Sequence, residues 1–150
     1  MNFSKLFSII IATLIFISCS NNQDSITKEV ISLDDSSTSK PYSPAILTGN
    51  ILHVSGQIAI DPATGMMIEG GIEEQTDQVL KNLKALVEKA GFTMDDVVKC
   101  NVLLSDISHY GPMNSIYSGY FTIAPPARKA FAVKDLPLGA LVEIDAIAIK

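Results

Sequence analysis

The apolar pattern of this chain predicts an α+β domain, and three observations carry the prediction. LTGNILHVSGQIAI sets Gly49-Asn50 between two apolar runs, a two-residue hairpin signal. IEEQTDQVLKNLKALVEKAG repeats Ile72, Thr76, Val79, Leu83, Leu86 and Ala90 at helical spacing. VVKCNVLL and VEIDAIAI alternate with the period of two that a strand imposes.

The first element in chain order stands apart from that domain. Lys5 precedes an apolar run from Leu6 to Ile17 that carries no charge, shorter than the ~18 residues of a spanning helix. A basic start, a short apolar stretch and a small residue at Ser18 predict an export signal over residues 1–18. FISC resembles the lipobox of bacterial lipoproteins, with Phe16 where an aliphatic residue is usual. That resemblance implies that Cys19 is acylated and becomes the new N-terminus, which would hold the protein on the outer side of a bacterial cell membrane through lipid alone. A plain secretory signal, or an uncleaved anchor with Cys19 a bystander, are the other readings. Residues 19–40 shift to Ser, Asn, Asp, Thr and Lys, the composition of a flexible tether, and the folded domain is expected over 41–150.

Within the domain, Leu52, Val54, Gly56 and Ile58 share one face of a strand, with His53, Ser55 and Gln57 on the other. DPATG reads as a turn, and Gly91 is placed to end the long helix. The next strand puts Val98, Cys100, Val102 and Leu104 on one face against Lys99, Asn101 and Leu103. A second helix is expected from about Ser108 to Phe121, burying Met113, Ile116, Tyr117 and Tyr120. Two strands close the domain, Arg128 to Val133 and Leu141 to Ile149.

Charge and cysteine content exclude several functions. A net charge of −5 and a pI near 4.8 argue against a nucleic-acid partner, which needs a concentrated basic surface. With the signal removed, Cys100 is the remaining thiol, so neither an intramolecular disulfide nor a cysteine-based metal cluster can form. On an apolar strand face it reads as an inert core thiol. Helices can cover one sheet face, and the other would carry Ser55, Gln57, Asn101, Glu143 and Asp145 mixed with Leu103, Ile147 and Ile149. Apolar groups there are costly to leave in water and carboxylates costly to bury unpaired. An oligomer interface lined with a polar pocket satisfies both constraints.

Six blocks in order, PYSPAI, VSGQI, EGGIEEQTDQVLKNLKALVEKAG, MNSIYSGYF, PPAR and VEIDAIA, resemble the RidA family of reactive-intermediate deaminases, also called the YjgF family. The likeness runs from about Ser39 to Ile149. It implies a chorismate-mutase-like mixed sheet with two helices on one face, and a homotrimer whose sheets form a central barrel with pockets between subunits. The implied chemistry is hydrolysis of enamines and imines such as 2-aminoacrylate to a 2-oxo acid and ammonia, with no cofactor and no metal. Carried over by motif, Arg128 of PPAR would hold the substrate carboxylate in a two-pronged hydrogen bond. Glu143 of VEIDAIA would position the attacking water or shuttle its proton. Tyr42, Ser55, Gly56 and Asn114 would line the pocket, while Asp145 falls on a position without a catalytic role. The chain departs from the family at Lys40, where glycine is usual, and at Lys129-Ala130, where well-known members carry a cysteine at the position of Ala130.

Each site residue has a plainer alternative. Arg128 could pair with an acidic residue at an interface, Glu143 could merely orient it, and Tyr42, Ser55 and Asn114 could satisfy backbone groups. His53 and His109 read as structural or exposed. Gly70-Gly71 before a helix reads as a tight turn, since no phosphate-loop lysine follows. Two rival functions keep the same fold: a module that binds a small carboxylate and turns nothing over, and the ribonuclease activity attributed to some relatives, which the acidic charge opposes.

Overall fold

A computed structural model describes residues 27–33 and 41–150. The expected signal segment, Cys19 and most of the expected tether lie outside the described residues. Six strands form one sheet: β1 (Lys28–Ile31), β2 (Ala45–Thr48), β3 (Ile51–Gln57), β4 (Val97–Leu104), β5 (Ala127–Ala132) and β6 (Val142–Ile149). Their spatial order is β1-β2-β3-β6-β4-β5, antiparallel throughout except for the parallel β4–β5 pair. Helices α1 (Ile72–Lys89) and α2 (Tyr110–Tyr117) lie on one face, with α1 across β3 and β6 and α2 against α1. The α+β expectation, a mixed sheet with two helices on one face, therefore holds.

The β2–β3 hairpin turns at Gly49-Asn50, and the left-handed φ of +58° at Gly49 is the reason a glycine sits there. Helix α1 starts where the Gly71 N–H donates to Glu74 Oε2 at 2.9 Å, with Glu73 and Glu74 in the first turn and Lys89 in the last. It ends as its sequence predicts: Gly91, at φ +80°, donates to the Glu88 carbonyl while Phe92 donates to that of Val87, the paired bonds of a Schellman motif. Ile72, Thr76, Val79, Leu83 and Leu86 are buried at the expected spacing, joined by Leu80 and Val87. They pack on Leu52, Val54, Cys100, Val102, Val142, Ile144, Ala146 and Ala148. The small Ala146 and Ala148 leave room for the leucines above them.

Four expectations are corrected. Residues Lys28–Ile31 were expected to belong to a flexible tether, yet they pair in register with Ala45–Thr48 and bury Ile31, because the edge of β2 offers backbone partners that a composition cannot display. Val97 is buried and Val98 is 43% exposed, the reverse of strict alternation, because a bulge between Val97 and Lys99 adds a residue to β4. A second bulge between Val54 and Gln57 breaks the alternation of β3, so Gly56 is exposed. The second helix is shorter than 108–121. A 3-10 turn, Ile107–His109, precedes it, held by Asp106 Oδ1 accepting from the Ser108 N–H at 2.8 Å. After Tyr117 the chain tightens through i→i+3 bonds at Gly119 and Tyr120. Met113 and Tyr117 are buried as expected, with Ile116 and Tyr120 partly so.

Candidate functional site

The six site residues predicted from sequence fall into two groups on opposite faces of the sheet. Residues paired across neighbouring strands share a face. Arg128 pairs with Cys100, and Cys100 with Ala146, on the face that the helices cover. Glu143 pairs with Leu103, and Leu103 with Phe131, on the open face. β4 also separates β5 from β6. Within one chain Arg128 does not face the VEIDAIA strand, because the parallel placement of β5 at the sheet edge turns its arginine toward α2.

The first group is the β3 bulge. Ser55 Oγ donates to the Ser43 carbonyl at 2.8 Å and its N–H to that of Pro44 at 2.9 Å, tying the bulge to the segment just after Tyr42. Tyr42 itself is 57% exposed. The Glu143 carboxylate lies directly over Gly56: a Cβ on that residue would collide with Oε1, so the close approach requires glycine. Burial raises the Glu143 pKa above the usual carboxylate range, and the Asp145 carboxylate raises it further. Asp145 accepts from Asn101 Nδ2 at 2.7 Å.

The second group lines a cleft of about 470 Å³ between α2, the Pro125-Pro126 loop and β5. Arg128 stands over the Tyr117 ring at 4.5 Å and near the Tyr110 ring at 5.7 Å, and its Nη2 donates to Tyr110 Oη at 3.4 Å. Neither ion pair among the described residues, Lys81–Asp77 or Lys84–Glu88, includes it. Asn114 lines the same cleft and hydrogen-bonds the Tyr110 hydroxyl, and Ala130 forms part of the wall. Sequence reading placed Asn114 and Arg128 here but missed Tyr110 and gave Tyr117 only a core role. The signal was the spacing: Tyr110, Asn114 and Tyr117 stand at i, i+4 and i+7, one stripe of a helix.

The remaining candidates take no part in either group. Cys100 is fully buried and burial pushes its thiol up to about 11, so it is protonated and inert at neutral pH. His53 is exposed, and His109 Nδ1 meets Ser105 Oγ at 3.2 Å. Among the described residues no three His, Cys, Asp or Glu side chains group closely enough to hold a metal ion.

A mixed sheet with two helices on one face, an arginine in an aromatic cleft and a carboxylate over a strand bulge make up a RidA-like domain. The chain belongs to the family described as Endoribonuclease L-PSP (Ribonuc_L-PSP), whose model matches residues 33–150. It is 49% identical to a RutC family protein of Pyrococcus horikoshii over 110 residues, 73% of this chain and 87% of that one. It is 41% identical to the 2-iminobutanoate/2-iminopropanoate deaminase of Mus musculus over 127 residues, 84% of this chain and 94% of the mouse protein. The crystal structure of YyfA, a Rid-family protein of unknown function from Yersinia pestis, superposes with a TM-score of 0.77 at 44% identity, covering 83% of this chain and all of YyfA.

Proposed function

We propose that this protein is a deaminase that hydrolyses 2-imino acids and their enamine tautomers to 2-oxo acids and ammonia, at sites shared between the subunits of a homotrimer. The observation that carries this reading is the pair of half-sites, an arginine without an ion-pair partner among the described residues in one and a carboxylate of raised pKa in the other, on opposite faces of the same sheet. A neighbouring copy that brings its Arg128 cleft to the Gly56–Glu143 bulge completes a site that one chain cannot. The mouse relative's name supports the chemistry. The open face supports the oligomer, since it sets Leu103 and Ile147 beside Phe131 and Ile149, which are 44% and 41% exposed.

In the reaction, the Arg128 fork fixes the substrate carboxylate and Glu143 takes a proton from water as its oxygen attacks C2. The proton passes to nitrogen. In the resulting carbinolamine the hydroxyl proton passes through Glu143 to nitrogen, the C–N bond breaks to release ammonia, and the C=O bond forms. Acid–base help of this kind supplies roughly 10²–10⁴-fold, enough for a compound that already hydrolyses unaided. A net charge of −5 opposes binding to RNA phosphates, which weighs against a ribonuclease. Lipidation at Cys19 of FISC, and with it a place on the outer side of a bacterial membrane, belongs to the same proposal.

The test is complementation. Arg128→Ala alone should abolish ammonia release from imines made in situ by an amino-acid oxidase. Arg128→Lys should lose most of it, because a point charge cannot reproduce the planar fork. Glu143→Gln should lower turnover more than binding. Refolding Arg128→Ala with Glu143→Gln at equal amounts should restore roughly a quarter of parental activity, the fraction of intact sites when chains assort randomly in a cyclic trimer. Activity of the mixture no higher than the two separate variants would sink the shared site, and an Arg128→Ala variant as fast as the parent would sink the deaminase.

A further inference from the structure

Tyr110 has a hydrogen-bonding capacity that its neighbours leave partly unused. A phenol offers one donor and two acceptor positions. Its oxygen accepts from Arg128 Nη2 at 3.4 Å and is hydrogen-bonded by the Asn114 side chain. The Asn114 bond, then that of Arg128 and its charge, lower the Tyr110 pKa. The guanidinium has no acceptor, so the Arg128 bond takes up an acceptor position of the oxygen and leaves the O–H to donate elsewhere. That O–H points away from the guanidinium, toward the cleft that Tyr110 lines. Tyr110 is 42% exposed and lines the same cleft.

The guanidinium offers its edge in that direction. One face of Arg128 is stacked over Tyr117 at 4.5 Å, which leaves the planar N–H fork to meet a ligand. An anion that accepts from this fork beside Nη2 lies within reach of the Tyr110 hydroxyl. We propose that Tyr110 is a further substrate-binding residue, donating its O–H to the carboxylate that Arg128 holds. The pair then recognises a carboxylate by three donors from two side chains and discriminates against imines that lack one. This rests on the deaminase reading for its substrate class, and on the cleft geometry alone for the anion.

Tyr110→Phe tests it, since the change keeps the ring over Arg128 and removes only the hydroxyl. The KM for 2-iminobutanoate generated in situ should rise about ten- to hundredfold with kcat unchanged, the loss of one hydrogen bond to a charged group. Calorimetry with 2-oxobutanoate, the product, should show the same factor in Kd. In an Arg128→Lys background the Tyr110→Phe change should still weaken 2-oxobutanoate binding; if it has no effect there, Tyr110 acts only through Arg128 and the direct contact is wrong. Unchanged KM and Kd, or a fall in kcat at constant KM, overturn it too. A parent that binds 2-oxobutanoate in a Tyr110-dependent way but hydrolyses no imine keeps the donor and removes the deaminase reading. A parent that hydrolyses imines and is indifferent to Tyr110→Phe does the opposite.

Discussion

Glu143 and Gly56 are a matched pair: the missing side chain of one makes room for the carboxylate of the other. The same closeness strips water from the carboxylate, which is the first cause of its raised pKa, with Asp145 the second. Glu143 can accept a water proton only when ionised, so kcat/KM should fall as pH falls through this raised value. The acid limb should therefore lie above the usual glutamate range. Asp145→Asn, which keeps an oxygen to accept from Asn101, should move that limb to lower pH by removing the second cause, while burial holds part of the shift. A pH–rate profile of parent and variant checks it, and an unmoved limb denies Glu143 the base role. The linked effect on stability has the opposite sense: a carboxyl whose folded pKa exceeds its unfolded one stabilises the fold most below the unfolded pKa, and that contribution is lost as pH rises through the folded value.

Among the elements, α1 is joined to the start of β6 by one buried amide. Gln75 is 5% exposed, and its Oε1 accepts from the Leu141 N–H at 2.9 Å just before the strand that carries Glu143. Gln75→Ala would leave that N–H without its acceptor and open a small void, at a cost of about 1–3 kcal/mol. Urea unfolding at fixed protein concentration should show the midpoint falling with the slope unchanged. A change within a few tenths of a kcal/mol would mean that solvent replaces the bond. The helices and hairpin were legible because their signals are local: a glycine past the last turn of α1, Gly49-Asn50 between apolar runs, leucines at helical spacing. The bulges at Val54–Gln57 and Val97–Lys99 were not, because an extra residue in one strand is defined only against its partner.

For the whole molecule, two proposals reach beyond the single folded domain: a partner copy that completes the site and a lipid at Cys19. If Cys19 carries lipid, as FISC after a short apolar run proposes, acyl chains burying ~0.8 kcal/mol per CH₂ would hold the assembled protein on a membrane. Cys19→Ser should then move the protein from the membrane to the soluble fraction and change its mobility on a gel. Unchanged fractionation and mobility would remove the lipid. Several anchors on one trimer would bind far more tightly than one, so partial lipidation should still leave most of the protein attached.

Alternation, helical spacing and six ordered motifs were sufficient for the α+β class, the limits of α1, the family and the residue types of the site, because those depend on near neighbours along the chain. Which face each site residue occupies was beyond them. Arg128 and Glu143 sit in adjacent motifs, PPAR and VEIDAIA, and linear order does not say whether they share a face. Strand order places β4 between them, and the parallel register sets Arg128 beside Cys100 and toward Tyr117 while Glu143 turns to the open face. A side chain's face follows from pairing register, and register is settled by long-range contacts: the helices bury Cys100, Val102, Ile144 and Ala146, and every residue one step out of phase must point the other way.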